Sequence, residues 1–316
     1  MPKIEWGILI VNYLFLGGLS AGLFFVSALA TYLQGKDETS YARIARYGAM
    51  MAPWPVALGS ILLIFDLGNW YRFYKLFLHF RWQSPMSIGS WLLMAFTGVA
   101  LVYCWAWLPE ESRRRAVGRL KLPRWLDRDL SSWRRQVAAA GFPLSVGVAI
   151  YTGVLLGAVQ ARPFWNTNLV AQMFLFSALS TGCAVLILAL SCNRKLLDAT
   201  QLRFLYTLDI CLITLELFVV LPYILHGELS VEAVRNSLEL ILGGAYTLVF
   251  WLLFMGTGLL TPLVLEIWEV APAIASGGPL HHNRRLAGGA AVLVICGGFL
   301  LRYIFVYAGQ ISGFGK

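Results

Sequence analysis

Eight long apolar runs constrain the fold of this chain more than any other feature of its sequence. They cover approximately residues 6–33, 47–68, 88–108, 137–160, 168–190, 204–225, 238–265 and 287–309. A helix needs about 20 mostly apolar residues to cross the hydrocarbon core of a bilayer, and every run is that long. Only 13% of the residues are charged, whereas soluble domains have about 25%. We therefore predict an all-α integral membrane protein with eight transmembrane helices.

The basic residues predict which side of the membrane each loop occupies. Most of the 25 lysine and arginine residues lie in the first, third, fifth and seventh loops, above all in segment 109–135. The positive-inside rule places these loops in the cytoplasm, and segment 109–135 is expected to lie against anionic lipid headgroups. We predict a multi-pass protein of the bacterial inner (cytoplasmic) membrane with both termini periplasmic. The net charge of +9 is thus a topology signal, and no nucleic-acid partner is expected.

Cysteine and histidine usage argues against a redox metal on this chain. The five cysteines are scattered without ligand spacing such as CxxC, and the four histidines lie at the ends of the apolar runs or outside them. An iron–sulfur cluster needs grouped cysteines, and a membrane haem b needs histidine ligands within the bundle. We predict no metal site, haem or iron–sulfur cluster here, so any redox role requires an organic cofactor.

Repeated motifs predict an internal duplication. The sequence LSAG at 19–22 returns as LSTG at 179–182, and the third and seventh runs share Trp-Leu-Leu at the same offset of 160 residues. We expect two four-helix bundles, 1–160 and 161–316, related by an axis along the membrane normal because each contains an even number of helices. We assign a candidate quinone site to the first bundle and a candidate proton path to the second.

Six residues of the first half form the candidate quinone site. Tyrosine, amide and carboxylate groups can bond to quinone carbonyl oxygens and exchange protons with them, and a glycine leaves a helix thin enough for a flat ring. Interfacial anchoring is the alternative role for such groups. The candidates are Asn12, Tyr13, Gly17, Asp66, Tyr151 and Gln160.

Four ionisable residues in the second half form the candidate proton path. Ionisable groups inside a membrane are costly and are functional candidates by default. The four are Asp209, Glu216, Glu266 and Arg302. We expect Glu216 and Arg302 to be paired directly or through water, since a lone arginine would be expensive. A purely structural ion pair with nearby interfacial carboxylates is the alternative.

Four motifs in order resemble the NrfD/PsrC family of quinone-interacting membrane anchors of bacterial oxidoreductase complexes. They are YLFLGGLSAG at 13–22, SPMSIGSW at 84–91, YTGVLLGAVQARPFWN at 151–166 and LRYIFVYAGQ at 301–310. The resemblance implies a membrane anchor subunit that binds menaquinone or ubiquinone near the periplasmic face. It also implies a four-cluster iron–sulfur subunit on that face and a molybdenum or tungsten bis-pterin catalytic subunit beyond it. The anchor alone would not catalyse the substrate reaction.

In the polysulfide reductase anchor, the quinone is held by a polar residue on helix one and a tyrosine on helix four. Those positions correspond to Tyr13 and Tyr151 here. The first of them is a histidine in that relative, and a phenol, with a pKa of about 10, exchanges protons less readily at neutral pH than an imidazole. We expect Asp66 to compensate as a nearby acid or base.

Two outer loops, 69–87 and 162–167, are the expected docking surface for the iron–sulfur subunit. The alternative is that both are ordinary interfacial loops. The docking residues are Arg72, Lys75, Arg81, Trp82, Arg162 and Trp165. The rival function is a secondary transporter built from a duplicated four-helix unit, although the sequence has no matched pair of Pro- or Gly-broken helices at mid-membrane. The substrate, the quinone type and the direction of electron flow stay open.

Overall fold

The structure, a computed structural model, describes residues 6–34, 38–66, 71, 74, 80–119, 121, 123, 130–192, 198–275 and 283–312. Every regular element within these residues is a helix. Eight helical segments are long and apolar enough to cross a membrane, and we number them first to eighth: Ile8–Leu33, Ser40–Asp66, Pro85–Trp107, Ser131–Gly157, Leu169–Ser191, Ala199–Glu228, Val249–Pro272 and Arg284–Ile311. The predicted all-α fold with eight spans is confirmed.

Three of the spans are built from two helical pieces. The second consists of Glu38–Met51 and Pro53–Asp66, and the carbonyl of Ala52 at their junction accepts a hydrogen bond from the Ser20 hydroxyl at 2.5 Å. The fourth span begins with a 3-10 turn, Ser131–Trp133, and continues as the α-helix Arg134–Gly157. The seventh span begins as a π-helix, Val249–Leu260, and continues as the α-helix Thr261–Ala275.

Two short helices, Glu110–Arg119 and Glu232–Leu242, lie outside the spans. The second one corrects the predicted seventh span, which was expected to begin at residue 238. Its buried side chains pack against the sixth span, where a Cβ on Gly227 would lie 1.8 Å from Leu238 Cδ1. Two consecutive glycines then follow this helix, and the seventh span begins only at Val249.

The spans of each half pack in a ring. The first contacts the second and fourth, and the third contacts the same two; the fifth to eighth spans repeat this arrangement. The halves meet chiefly through the first and fifth spans, with further contacts of the fourth with the fifth and of the first with the eighth. In their most apolar stretches 67% and 72% of the residues of the first and fifth spans are buried, against 33% in the second. These two spans are therefore the central ones, and the duplication itself stays a prediction.

Glycines set the distance between the two central spans. A Cβ on Gly22 would lie 2.1 Å from the carbonyl oxygen of Ala178, and one on Gly182 would lie 2.3 Å from the carbonyl carbon of Gly22. Such close backbone approach is typical of small residues at helix interfaces in membranes. The glycines of the LSAG and LSTG motifs thus have a packing role.

Both ends of the described residues lie on one face of the molecule. The Trp6 amide donates to Gln310 Oε1 at 2.8 Å, and Gln310 Nε2 donates to the Trp6 carbonyl at 2.9 Å. We call this side the terminal face and the other side the opposite face. Since the described spans alternate in direction, the terminal face also carries the loop 80–84 and the segment 158–168.

Candidate functional site

Two tyrosines meet inside the first ring of helices. Tyr13 of the first span is 2% exposed and Tyr151 of the fourth span is 7% exposed. Their side chains are close enough to interact electrostatically. A buried pair of phenols offers hydroxyl groups that can donate and accept hydrogen bonds in an otherwise apolar environment. The structure therefore brings together the two residues that the family resemblance implied.

Two glycines complete the surroundings of this tyrosine pair. A Cβ on Gly89 of the third span would lie 1.7 Å from Tyr151 Cζ and 2.1 Å from its hydroxyl oxygen. A Cβ on Gly59 of the second span would lie 3.5 Å from the Tyr13 carbonyl oxygen and 3.7 Å from Tyr13 Cδ2. Each of the four spans of the first half thus contributes one residue. Sequence reasoning missed both glycines, although Gly89 lies within the SPMSIGSW motif.

All four residues lie at a similar depth. Each is four to seven residues from the end of its helix at the terminal face. At a rise of about 1.5 Å per residue this places them roughly 6–11 Å below the helix ends. All four therefore lie in the part of the first half nearer the terminal face.

Gly17 and Asn12 are near the pair in sequence but have local roles. Gly17 is buried against the fourth span, where a Cβ on it would lie 3.9 Å from Thr152 Cγ2, an ordinary contact distance. The Asn12 amide donates to the Ile8 carbonyl at 2.8 Å, within its own helix. The first therefore helps the helices to pack, and the second is bonded to backbone.

Asp66 and Gln160 lie nearer the terminal face than the tyrosines. Asp66 is the half-buried last residue of the second span, seven residues beyond Gly59. Seven residues make about two helical turns, so Asp66 is on the same helix face as Gly59 and ~10 Å closer to the terminal face. Gln160 is exposed and follows the end of the fourth span at Gly157. Both are at the approach to the tyrosine pair rather than beside it.

Arg302 of the eighth span is fully buried in the second half. Its Nη1 donates to Ser177 Oγ at 2.6 Å and to the Gly298 carbonyl at 2.8 Å, and its Nη2 donates to the Phe174 carbonyl at 3.1 Å. Glu216 lies within electrostatic reach of this guanidinium and beside Ser177. Among the described residues these two form no direct ion pair, so the arginine is stabilised mainly by oxygens of the fifth and eighth spans.

The remaining two proton-path candidates lie deeper in the second half. Asp209 and Glu266 are at most 1% exposed and interact electrostatically across the sixth and seventh spans. Within the described residues none of their four carboxylate oxygens has a hydrogen-bond partner. Nearby, the Tyr206 hydroxyl of the sixth span donates a hydrogen bond to Glu269 Oε2 of the seventh span at 2.6 Å. The structure therefore groups these carboxylates, about two turns from Glu216 along the sixth span.

The predicted docking residues separate into buried and exposed ones. Trp165 is 2% exposed, stacks on Trp6 with ring centroids 5.2 Å apart, and donates to the Phe305 carbonyl at 2.6 Å. Arg162 donates to the carbonyls of Gln310 and Ser312 at 2.6 and 2.8 Å. The contacts of Trp165 and Arg162 are therefore internal: they attach the segment after the fourth span to the end of the eighth, and Trp165 offers almost no surface to a partner.

Arg81 and Trp82 do offer surface at the terminal face. Trp82 is 80% exposed and contacts the Phe80 ring edge-on at 4.8 Å. Arg81 is exposed, and its backbone amide donates to Ser87 Oγ at 3.1 Å. Arg72 and Lys75 lie outside the described residues. Across the described ranges, no group of three or more His, Cys, Asp or Glu side chains is arranged to hold a metal ion.

Comparison with known proteins gives full-length matches. The family described as "Polysulphide reductase, NrfD" matches residues 1–313. The C subunit of polysulfide reductase from Wolinella succinogenes is 30% identical over 314 residues, which cover 97% of the present sequence and 95% of that protein. Protein NrfD of Escherichia coli is 30% identical over 321 residues, 98% of the present sequence and 96% of that protein.

A more distant relative is the Hdr-like menaquinol oxidoreductase integral membrane subunit of Archaeoglobus fulgidus. It is 24% identical over 275 residues, which cover 84% of the present sequence and 63% of that protein. The eight spans, the motif order and the family match over nearly the whole length lead to one assignment. The chain belongs to the polysulphide reductase NrfD family.

Proposed function

We propose that this protein is the membrane anchor subunit of a respiratory oxidoreductase and binds quinone or quinol beside Tyr13 and Tyr151. The observation that carries the proposal is the buried pair of Tyr13 and Tyr151 at one depth, with Gly59 beside the first and Gly89 packed directly against the ring of the second. Menaquinone and ubiquinone both remain candidates. The Archaeoglobus relative is named as a menaquinol oxidoreductase membrane subunit, and this name supports a quinone or quinol as the ligand.

The residues present suit a quinone ring. Its carbonyl oxygens accept hydrogen bonds, and phenol hydroxyls can donate them. When bound, a quinone supplies paired electron and proton transfer at those oxygens. Tyr13 and Tyr151 would orient the ring and hold a proton at their hydroxyl oxygens, while Gly89 would let the third span pack against the Tyr151 ring and hold it in place. Asp66, nearer the terminal face, would exchange protons with the water outside.

The electron partner would dock on the terminal face. The helix that carries Gly89 starts at Pro85. The exposed side chains of Arg81 and Trp82 come just before this helix, so they lie at the terminal face close to the site. We propose that a four-cluster iron–sulfur subunit covers this surface and that a molybdenum or tungsten bis-pterin catalytic subunit lies beyond it. The lettered subunit name of the Wolinella relative, which marks one polypeptide of a larger enzyme, supports such an assembly.

The charge distribution supports a periplasmic terminal face. Arg43, Arg46, Arg113 and Arg134 all lie at the opposite face, and arginine accumulates on the cytoplasmic side of membrane proteins. We therefore propose a location in the bacterial inner membrane, with the termini and the partner subunits in the periplasm.

The test of quinone binding uses the purified complex. Tyr13→Phe and Tyr151→Phe each remove one hydroxyl, and the expected loss is about tenfold in quinol affinity or turnover, equivalent to one hydrogen bond. Tyr103→Phe is the matched control, because Tyr103 is equally buried in the same half but bonds to Thr31 and Ser27. Unchanged quinol binding in both test variants would refute the site.

Co-purification distinguishes the anchor from a secondary transporter. An anchor should be isolated with iron–sulfur and molybdenum or tungsten partners and a reducible quinone. A protein that is isolated alone and exchanges a solute across vesicle membranes would support the transporter instead.

A second proposal concerns protons. We propose that Asp209, Glu216 and Glu266, assisted by the charge of Arg302, form part of a proton path through the second half. Buried carboxylates without hydrogen-bond partners are expensive when charged, and this favours groups that hold a proton or meet water. The alternative is a structural cluster around Arg302.

Proton movement per turnover in vesicles separates these roles. Glu216→Gln and Asp209→Asn should lower the ratio of protons moved to quinol oxidised. Glu239→Gln is the control, because Glu239 lies on the short helix outside the spans. A ratio that stays at the wild-type value in both variants would refute the path.

A further inference from the structure

A cavity rich in arginine opens at the opposite face of the first half. Its volume is about 690 Å³, and the described residues that line it include Arg43, Arg46, Arg113 and Arg134 and one carboxylate, Glu110. Glu110 bonds instead to Arg114 of its own helix at 2.5 Å. The arginines come from the second span, the short helix Glu110–Arg119 and the fourth span. Three segments thus direct positive charge to one place.

Two of these arginines are held in position. Arg134 Nε donates to the Ala106 carbonyl at 2.9 Å, and its guanidinium lies 4.3 Å from the centre of the Trp107 ring. Arg113 is only 5% exposed, unlike Arg114 and Arg115 on the same helix, whose side chains are 65% and 78% exposed. A guanidinium held by packing loses little freedom when it binds a phosphate. The cavity is therefore a built site for an oxyanion rather than a loose surface charge.

An apolar groove lies next to this cavity. Its volume is about 300 Å³, and it runs between the third and fourth spans along Gly98, Val102, Val137 and Ala140. Ser131 and Arg134 line the cavity while Trp133 and Gln136 line the groove. Both the cavity and the groove are therefore lined by the first turns of the fourth span, within one phospholipid's reach of each other.

We propose that the cavity and the groove together bind one anionic phospholipid, with its phosphate among the arginines and an acyl chain in the groove. Basic pockets beside transmembrane helices on the cytoplasmic side suit anionic headgroups. A free phosphate would occupy only the cavity, and a zwitterionic lipid would bring an ammonium group among four arginines. A bound phospholipid would join the ends of the second, third and fourth spans.

The test of the headgroup site measures which lipids remain on the purified protein or complex. After exchange into mixtures of phosphatidylethanolamine with phosphatidylglycerol or cardiolipin, bound lipid is counted by native mass spectrometry. Arg43→Gln with Arg46→Gln should lower the affinity for the anionic lipids about thirtyfold, on the basis of roughly fivefold for each arginine at a membrane surface. Arg114→Gln with Arg115→Gln removes the same charge from the same face and should leave retention unchanged. Equal losses in the two double variants, or no loss in either, would overturn the proposal.

The test of the groove uses Gly98→Leu. A Cβ at Gly98 meets no atom within 4 Å, so the new side chain extends into the groove without disturbing the helix. Retention of the anionic lipids should fall, and millimolar inorganic phosphate should not displace them from the unsubstituted protein. If phosphate displaces them, or if Gly98→Leu retains them at the wild-type level, the site takes a free anion or no ligand, and the proposal is wrong.

Discussion

Replacing Gly89 with alanine would place a methyl group inside the ring of Tyr151. The added Cβ would lie 1.7 Å from Cζ and 2.1 Å from the hydroxyl oxygen. Carbon atoms in contact are about 3.5–4 Å apart, so the ring must move by roughly 2 Å. A hydroxyl displaced that far leaves its position beside Tyr13 and would lose its hydrogen bond to the bound quinone, because bond strength falls steeply outside the normal distance range.

The expected cost is a factor of about 10 to 100 in quinol turnover. Loss of one hydrogen bond to the ligand accounts for roughly tenfold, and displacement of a positioning group by ~1 Å or more costs up to about a hundredfold. The helix itself should not suffer, because alanine is favoured over glycine in a helix by about 0.5–1 kcal/mol.

The assay is quinol-dependent electron transfer by the purified complex, combined with titration of a quinol analogue. Gly98→Ala is the control, since it makes the same substitution in the same span at a position where a Cβ meets no atom within 4 Å. Thermal unfolding of both variants separates a local effect from general damage. If Gly89→Ala binds and oxidises quinol as Gly98→Ala does, quinone does not bind beside Tyr151.

Three further predictions concern stability and docking. Gly22→Ala should destabilise the protein by about 1–3 kcal/mol, since overpacking costs that much and its Cβ would meet the Ala178 carbonyl; Gly17→Ala, with only an ordinary contact, is the control in thermal unfolding. Arg302→Leu should lower the free energy of unfolding by about 3–5 kcal/mol because it leaves buried polar groups without their cation. Adding Glu216→Gln should recover part of this loss. A double variant no more stable than Arg302→Leu would contradict an electrostatic interaction between Glu216 and Arg302. Trp165→Phe should lower stability by about 1–3 kcal/mol through loss of the hydrogen bond to Phe305. Trp82→Phe should leave stability unchanged and weaken assembly with the iron–sulfur partner in pull-down; the reverse pattern would show that Trp165, not Trp82, meets the partner.

The fold could be predicted because membrane spans are encoded by length and apolar content. All eight spans are predictable in this way, and most of their ends are correct to within a few residues. The start of the seventh is wrong because Leu238 and Ile241 resemble the beginning of an apolar run. They belong to a short helix packed against the sixth span, and Gly243 and Gly244 end that pattern. Hydropathy does not register such a change of direction.

The candidate site was only partly predictable for a similar reason. Tyr13 and Tyr151 follow from their motifs, and their shared depth follows from counting residues. Gly59 and Gly89 are not predictable because a glycine in an apolar helix has many packing roles, and only the three-dimensional structure reveals which tyrosine ring lies against it. For Trp165 the sequence predicted too much exposure. Its position in a loop suggested a docking surface, whereas its indole is buried and donates a hydrogen bond to the eighth span.

The most direct test of the proposed quinone site is covalent labelling with a photoreactive quinone. The purified complex would be illuminated with an azido-quinone, with and without excess natural quinol, and the labelled peptides would be identified by mass spectrometry. The labels that quinol suppresses are expected on the terminal-face halves of the first, third and fourth spans, near Tyr13, Gly89 and Tyr151. Quinol-suppressed labels confined to the second half or to the arginine-rich cavity would contradict it.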